Sequence, residues 1–261
     1  MAGPQEQYTD ELKSKFGYYA TWLPGKPLSL GDIGVFTDNV FTRLRGLEDV
    51  GIKDCDTLPD PSAEDLEYNS RGNVSVTTKL SGTISPQGIS LANADAGLVV
   101  EFGNENSILF KANQTRTPSI KDIIKLGEQV LELYEEGKWN KKWVVVTELV
   151  TAESATILIS NNKNGRIELK ANANIDAISI DIADAKFQFS TIFSKGLETK
   201  IMAQSGLTPL FKVMGIKTRI FLPPAFIAKG LSPLDLITPE KAKTEYKDKI
   251  YFGYIDSNEN E

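Results

Sequence analysis

Asp54, Asp56 and Asp60 are the nearest thing in this 261-residue chain to a metal-binding loop. A calcium loop needs oxygen ligands at alternate positions and a glycine at its sharp turn, but here Leu58 takes a ligand position and Pro59 takes the turn. Ser160 and Lys163 have the bare Ser-x-x-Lys spacing of a lysine-activated serine. The string Ser160-Asn161-Asn162-Lys163 reads better as a turn, where Asn and Ser side chains bond the local backbone. Asn73-Val74-Ser75 and Asn113-Gln114-Thr115 fit glycosylation acceptors, which matter only on a secretory route. Gly82, Gly88 and Gly97 build no phosphate loop, because no glycine-rich turn of this chain runs into Lys-Ser/Thr.

Histidine is absent and Cys55 is the lone cysteine. Together these exclude Ser-His-Asp and Cys-His nucleophiles, histidine-held zinc, an internal disulfide and a CxxC pair. A formal net charge of -6 argues against nucleic acid as a partner, since phosphate binding needs a concentrated basic face. The expectation is a non-enzymatic protein with no cofactor, metal or nucleotide requirement. A carboxylate-dependent hydrolase would need paired acids that the sequence alone cannot sort. Hydrophobic residues at 41% and charged residues at 25% are ordinary globular usage. The opening MAGPQEQYTDELKSK has no apolar signal core, which predicts a cytoplasmic protein. No apolar run approaches the roughly 20 residues of a membrane helix, so any entry into a bilayer would use closed strands.

These side chains sit on elements that periodicity outlines. Thr9 or Asp10 is expected to cap a short helix carrying Leu12, Phe16 and Tyr19. Residues 28–52 predict two strands about Asp38-Asn39. Residues 54–67, rich in Asp and Glu with Pro59 and Pro61, predict an acidic surface loop. Val74, Val76, Thr78 and Leu80 alternate as a strand does, and 89–96, 98–102 and 108–112 continue a meander. Thr117-Pro118 predicts a helix start, with Ile120, Ile123, Ile124, Gly127, Val130, Leu131 and Tyr134 as its buried stripe and Gly137 as its end. Residues 144–150 predict a central strand. Residues 155–160 and 166–175 predict a long hairpin about Asn161–Gly165, and 178–191 more strand with a parity shift near Asp184. A break is expected at Leu207-Thr208-Pro209, and a last strand over 211–221. Pro223-Pro224 sets off 223–261 as an extension with a polar helix near 239–249. The sum is an α+β fold: a large, twisted, mostly antiparallel sheet with long amphipathic hairpins and a few helices packed on it, over a body of residues 1–222.

Val74-Ser75-Val76, then Lys79-Leu80-Ser81-Gly82-Thr83, the helix after Pro118, the strand Trp143–Thr151 and the amphipathic hairpin behind it follow one another in the order seen in the gasdermin pore-forming domain, which residues 70–222 resemble in arrangement. The resemblance implies a soluble protein released by a protease or another protein partner. It would then oligomerise with itself and insert into a lipid membrane as a barrel. The apolar positions Ile167, Leu169, Ile178, Ile180, Ile182, Phe187 and Phe189 are the candidate inserting residues. Their neighbours Glu168, Lys170 and Asp181 would then face a water-filled lumen. Lys200, Lys212, Lys217 and Arg219, with no acid between residues 199 and 230, form the candidate lipid-contacting patch. The alternative is a non-enzymatic scaffold that uses its sheet as an interaction platform, since a large antiparallel sheet with one wet face has the same pattern.

Overall fold

The computed structural model describes residues 3–37, 40–70, 72–84, 88–92, 94–172, 180–219 and 249–255. In chain order they form α1 (Pro4–Phe16), β1 (Tyr19–Ala20), β2 (Asp32–Thr37), β3 (Val40–Gly46), β4 (Thr57–Leu58), β5 (Glu64–Asn69), β6 (Val74–Lys79), β7 (Gly97–Phe102), β8 (Ile108–Thr115) and β9 (Ser119–Ile120). Then come α2 (Ile123–Glu135), β10 (Val144–Ser160), β11 (Gly165–Lys170), β12 (Ser190–Lys195), β13 (Leu197–Arg219) and β14 (Lys249–Tyr254). The pairings with a determined register are antiparallel, so the α+β class with a large antiparallel sheet holds. No helix among the described residues is long and apolar enough to cross a membrane.

The chain divides into two compact units, the first of Met1–Pro27, Pro61–Arg116 and Val150–Leu210, the second of Leu28–Asp60, Thr117–Leu149 and Phe211–Glu261. In the first, three layers stack. The middle layer holds β8 between β5 and the later half of β10, with register Leu158 to Leu109 and Ile157 to Phe110. Successive side chains of a strand point to opposite faces, so Ile108, Phe110, Ile157 and Ile159 meet Tyr8 and Leu12 of α1, while Leu109 and Leu158 meet the third layer. That third layer is a separate four-stranded sheet, β12-β11-β7-β6. Helix α1 is held down by Glu11, whose carboxylate accepts from Tyr68 Oη and Ser70 Oγ, both at 2.7 Å.

In the second unit β2 and β3 form a hairpin on the early part of β10, and β14 pairs with β13. Helix α2 packs Leu126, Val130 and Leu131 against Ile33, Val145, Met214 and Phe252.

Several expectations change. Helix α1 starts at Pro4, a residue whose fixed φ suits the first turn, and Thr9 instead bonds back to the carbonyls of Gln5 and Glu6 from inside the helix. The acidic segment is exposed but partly extended, as β4 and β5, because sheet edges need partners there. Residues 89–96 contain no strand among those described. Pro118 leads into β9, and α2 is capped by Asp122, whose side chain accepts from Lys125 N at 2.9 Å. This later start rotates the stripe: Ile124 is 53% exposed and Leu126 is buried in its place.

β10 is a single strand of 17 residues, and it does not form a hairpin with β11. β11 crosses instead to the other sheet, pairing with β7 and β12. Between residues 180 and 189 there is one short helical turn, Ala185–Phe187, rather than strand. Pro209 interrupts nothing: β13 runs 23 residues through it, and its carbonyl accepts from Thr21 N. The predicted polar helix lies almost wholly outside the described residues, and the expected strand end at 220–221 also lies outside them. Beyond them β14 returns to the second unit's core, with Phe252 fully buried.

Candidate functional site

The four-stranded sheet of the first unit gathers the amphipathic strands singled out above. Register fixes its faces: Val76 lies beside Val100 and Val100 beside Ile167, while Thr77, Val99, Glu168 and Phe193 form the next row. Cross-strand partners share a face. One face therefore carries Leu98, Val100, Phe102, Ile167 and Leu169, packed into the core over Leu109 and Leu158. The other carries Lys79, Glu101, Arg166, Glu168, Lys170 and Lys195.

That charged face is not simply solvated. Residues 88–92, from the connection between β6 and β7, lie across it, and Leu91 among them is buried. Glycine at 97 permits the close approach, because a Cβ there would run into the carbonyl oxygen of Leu169 and the side chain of Leu91. Lys79, 3% exposed, donates to the carbonyls of Ala92 and Asp95, both at 2.6 Å. Glu168, 2% exposed, accepts from the amide of Ser90 at 2.7 Å and from Arg166 Nη2 at 2.7 Å. Arg166 also donates to the carbonyl of Gly88 at 2.8 Å and pairs with Glu101 at 3.0 Å. Lys170 meets Asp95 at 2.7 Å. Buried charges persist only when paired and hydrogen-bonded, and here the partners come from the strap and the strand beneath it.

The two outer strands leave their far edges without a strand partner among the described residues. β12 is exposed throughout, Ile192 and Phe193 included, and Val76 is exposed on β6. Neither strand carries a proline or a mid-strand charge, the usual devices that blunt an edge.

The candidate inserting residues divide. Ile167, Leu169, Ile180, Ile182 and Phe187 are buried in one core, with Phe189 half-buried against it, and Ile178 lies outside the described residues. Glu168 differs from its expected place on a wet face, because the strap covers it. Asp181 stands in a separate polar cluster, pairing with Lys111 at 3.0 Å and accepting from Asn113 Nδ2 and from the amide of Ala183. Burial pushes its carboxyl up, yet these bonds outweigh that and hold it below the usual carboxylate range.

The candidate basic patch is divided between the two units. Lys200 is exposed on the first unit. On the second, Lys212 pairs with Glu148 at 3.1 Å and Lys217 lies 5.9 Å from the Tyr251 ring centroid. The side chain of Arg219 is outside the described residues. The strap contacts of Lys79 and Arg166 escaped the sequence because β11's parity relative to β7 exists only once the two strands pair. The chain matches no protein-family model and no curated protein.

Proposed function

We propose that this protein is a conditional, non-catalytic membrane pore former of the gasdermin-like kind, and that the four-stranded sheet is its inserting element. One observation carries the reading: the alternation of the four strands continues, in phase, into both long connections. After β6 the apolar face is extended by Leu80, Gly82 and Ile84, and before β7 by Ala92, Ala94 and Ala96. After β11 it is extended by Ala171, Ala173 and Ile175. Before β12 it is extended by Ala185, Phe187 and Phe189 in phase with Thr191, and a bulge between Thr191 and Phe193 then returns Ser194 to the same face. The intervening positions hold Lys79, Ser81, Asp95, Lys170, Asn172 and Lys186. Spans of about eleven residues result, the length a tilted strand needs to cross a bilayer, with every charge on one face.

A sandwich core alone would not require this phase beyond the strand ends. Ile84 keeps it although it is 87% exposed. On this reading Ile167, Leu169, Phe187 and Phe189 face lipid, whereas Ile178, Ile180 and Ile182 fall in the turn between spans.

Strand direction supports self-association. Four antiparallel strands leave β6 and β12 running in opposite senses, so β12 of one copy set beside β6 of the next continues the alternation. In that antiparallel pairing Lys79 and Lys195 fall at opposite ends and do not meet. An open head-to-tail contact of this kind closes into a ring when its rotation allows.

The test is release of a trapped dye from liposomes, zwitterionic and anionic, by the full chain before and after limited proteolysis in residues 223–248. Release with rings visible by electron microscopy is expected. No release in either form, at micromolar protein, would overturn the reading in favour of the scaffold. Cutting the chain before Pro223 is a poorer trigger, since it removes Phe252 from the second unit's core.

A further inference from the structure

We infer that the strap over the charged face, residues 88–92 with 94–96, is the catch of the inserting sheet and must lift before the strands can lengthen. The inference rests on the pore reading and names what regulates it. In the lengthened sheet the ladder of β6 with β7 continues as the partners Lys79 and Gly97 dictate, so residue 81 comes beside 95 and residue 83 beside 93. Three contacts of the closed state are incompatible with that register: Lys79 to the carbonyl of Ala92, Arg166 to the carbonyl of Gly88, and Glu168 to the amide of Ser90. The Lys170–Asp95 pair is compatible, because Asp95 stays near Lys170 when residue 95 moves beside 172. The catch is therefore the set of Lys79, Arg166 and Glu168 together with buried Leu91, and the Lys170 pair serves as the hinge side.

The chemistry of these groups suits a catch. Lys79 and Glu168 are almost wholly withdrawn from water in the closed state, and in a barrel they would face an aqueous lumen. Lifting the strap costs their hydrogen bonds and returns their hydration, so opening forfeits far less than removal of either partner inside a closed core would. A cover held by apolar packing alone would have no such compensation.

The experiment uses the full chain in a Cys55→Ser background with Ser90→Cys and Glu168→Cys, joined by a short thiol-reactive crosslinker that contains a reducible bond. Dye release from liposomes is read with the link intact and after reduction, with the unlinked double variant as the folding control. Linked protein is expected to lose release at least tenfold and to regain it on reduction. Leu91→Gln, which weakens the strap without touching the charges, should act in the opposite direction and lower the protein concentration needed for half-release several-fold. Equal release by linked and reduced protein would overturn the catch while leaving the pore reading standing. If the double variant does not fold, Leu91→Gln decides: a need for equal or more protein than the unaltered chain overturns the catch. Absence of release from unaltered, reduced and Leu91→Gln protein alike, each before and after proteolysis in residues 223–248, would overturn the pore reading, and the catch with it.

Discussion

Helix α2 and the strap between β6 and β7 each cover a sheet, and they are held down by opposite kinds of force. Under α2 the contacts are aliphatic and aromatic: Leu126, Val130 and Leu131 against Ile33, Val145, Met214 and Phe252. Under the strap the apolar side chains Leu91 and Val99 are joined by Lys79, Arg166, Glu168 and a set of backbone carbonyls and amides. Apolar burial is non-directional and scales with area, so α2 stays until its whole unit melts. Hydrogen-bonded charge is directional and has water as a ready substitute. A cover of that kind is suited to local opening, as the proposed catch requires.

The contrast is sharpest for the largest expected effect. Leu131→Ala should destabilise the protein by about 2–5 kcal/mol, the cost of an emptied core leucine, and lower its thermal midpoint. Ile124→Ala on the exposed face of the same helix should stay within about 0.5 kcal/mol. Equal effects at the two positions would mean that α2 presents a different face from the one described.

Glu168→Gln should come next, at about 1.5–3 kcal/mol, because it exchanges charge-assisted bonds to Arg166 and Ser90 for neutral ones in a buried place. Its signature should be local. Hydrogen exchange at the Ser90 amide should quicken while the amides of α2 keep their protection. Uniform loss of protection across both units would break the comparison, since it would make the strap part of the cooperative core.

The smallest effect expected is a pH dependence at Asp181. Its folded carboxyl lies below its unfolded value of about 3.9, so its contribution is complete above that value and is lost as pH falls through the folded one. The thermal midpoint of the unaltered protein should therefore decline more steeply between about pH 4.5 and 3 than that of Asp181→Asn. Parallel acid limbs would show that the bonds from Lys111, Asn113 and Ala183 are no stronger in the folded chain than water is in the unfolded one.

Much of this molecule is legible in its sequence alone. The alternation at 98–102 and at the start of 166–175 announces strands because one face of each meets a core while the other carries Glu101 or Glu168, and a period of two has no other common cause. The absence of histidine and the lone Cys55 narrow the chemistry without any fold at all. Helix α2 shows in its spacing, yet spacing alone turns Ile124 inward, because Thr117-Pro118 is as good a start signal as Asp122 until β9 claims Ser119 and Ile120 for a sheet.

Pairing was decided only in three dimensions. β10 is buried on both faces, so its near-continuous apolar run states that neighbours exist and not which ones they are. Asn161–Gly165 would serve a hairpin, but Asn161 donates to the carbonyl of Gly196 and Ser160 accepts from Ser107, and the chain steps across to a second sheet. Only that step sets β11 beside β7, brings Arg166 next to Glu101, and turns charges scattered from Lys79 to Lys195 into one face with a strap across it. Local propensity is a property of neighbouring residues. The burial of Lys79 and Glu168 belongs to strands that become neighbours only when the chain has folded.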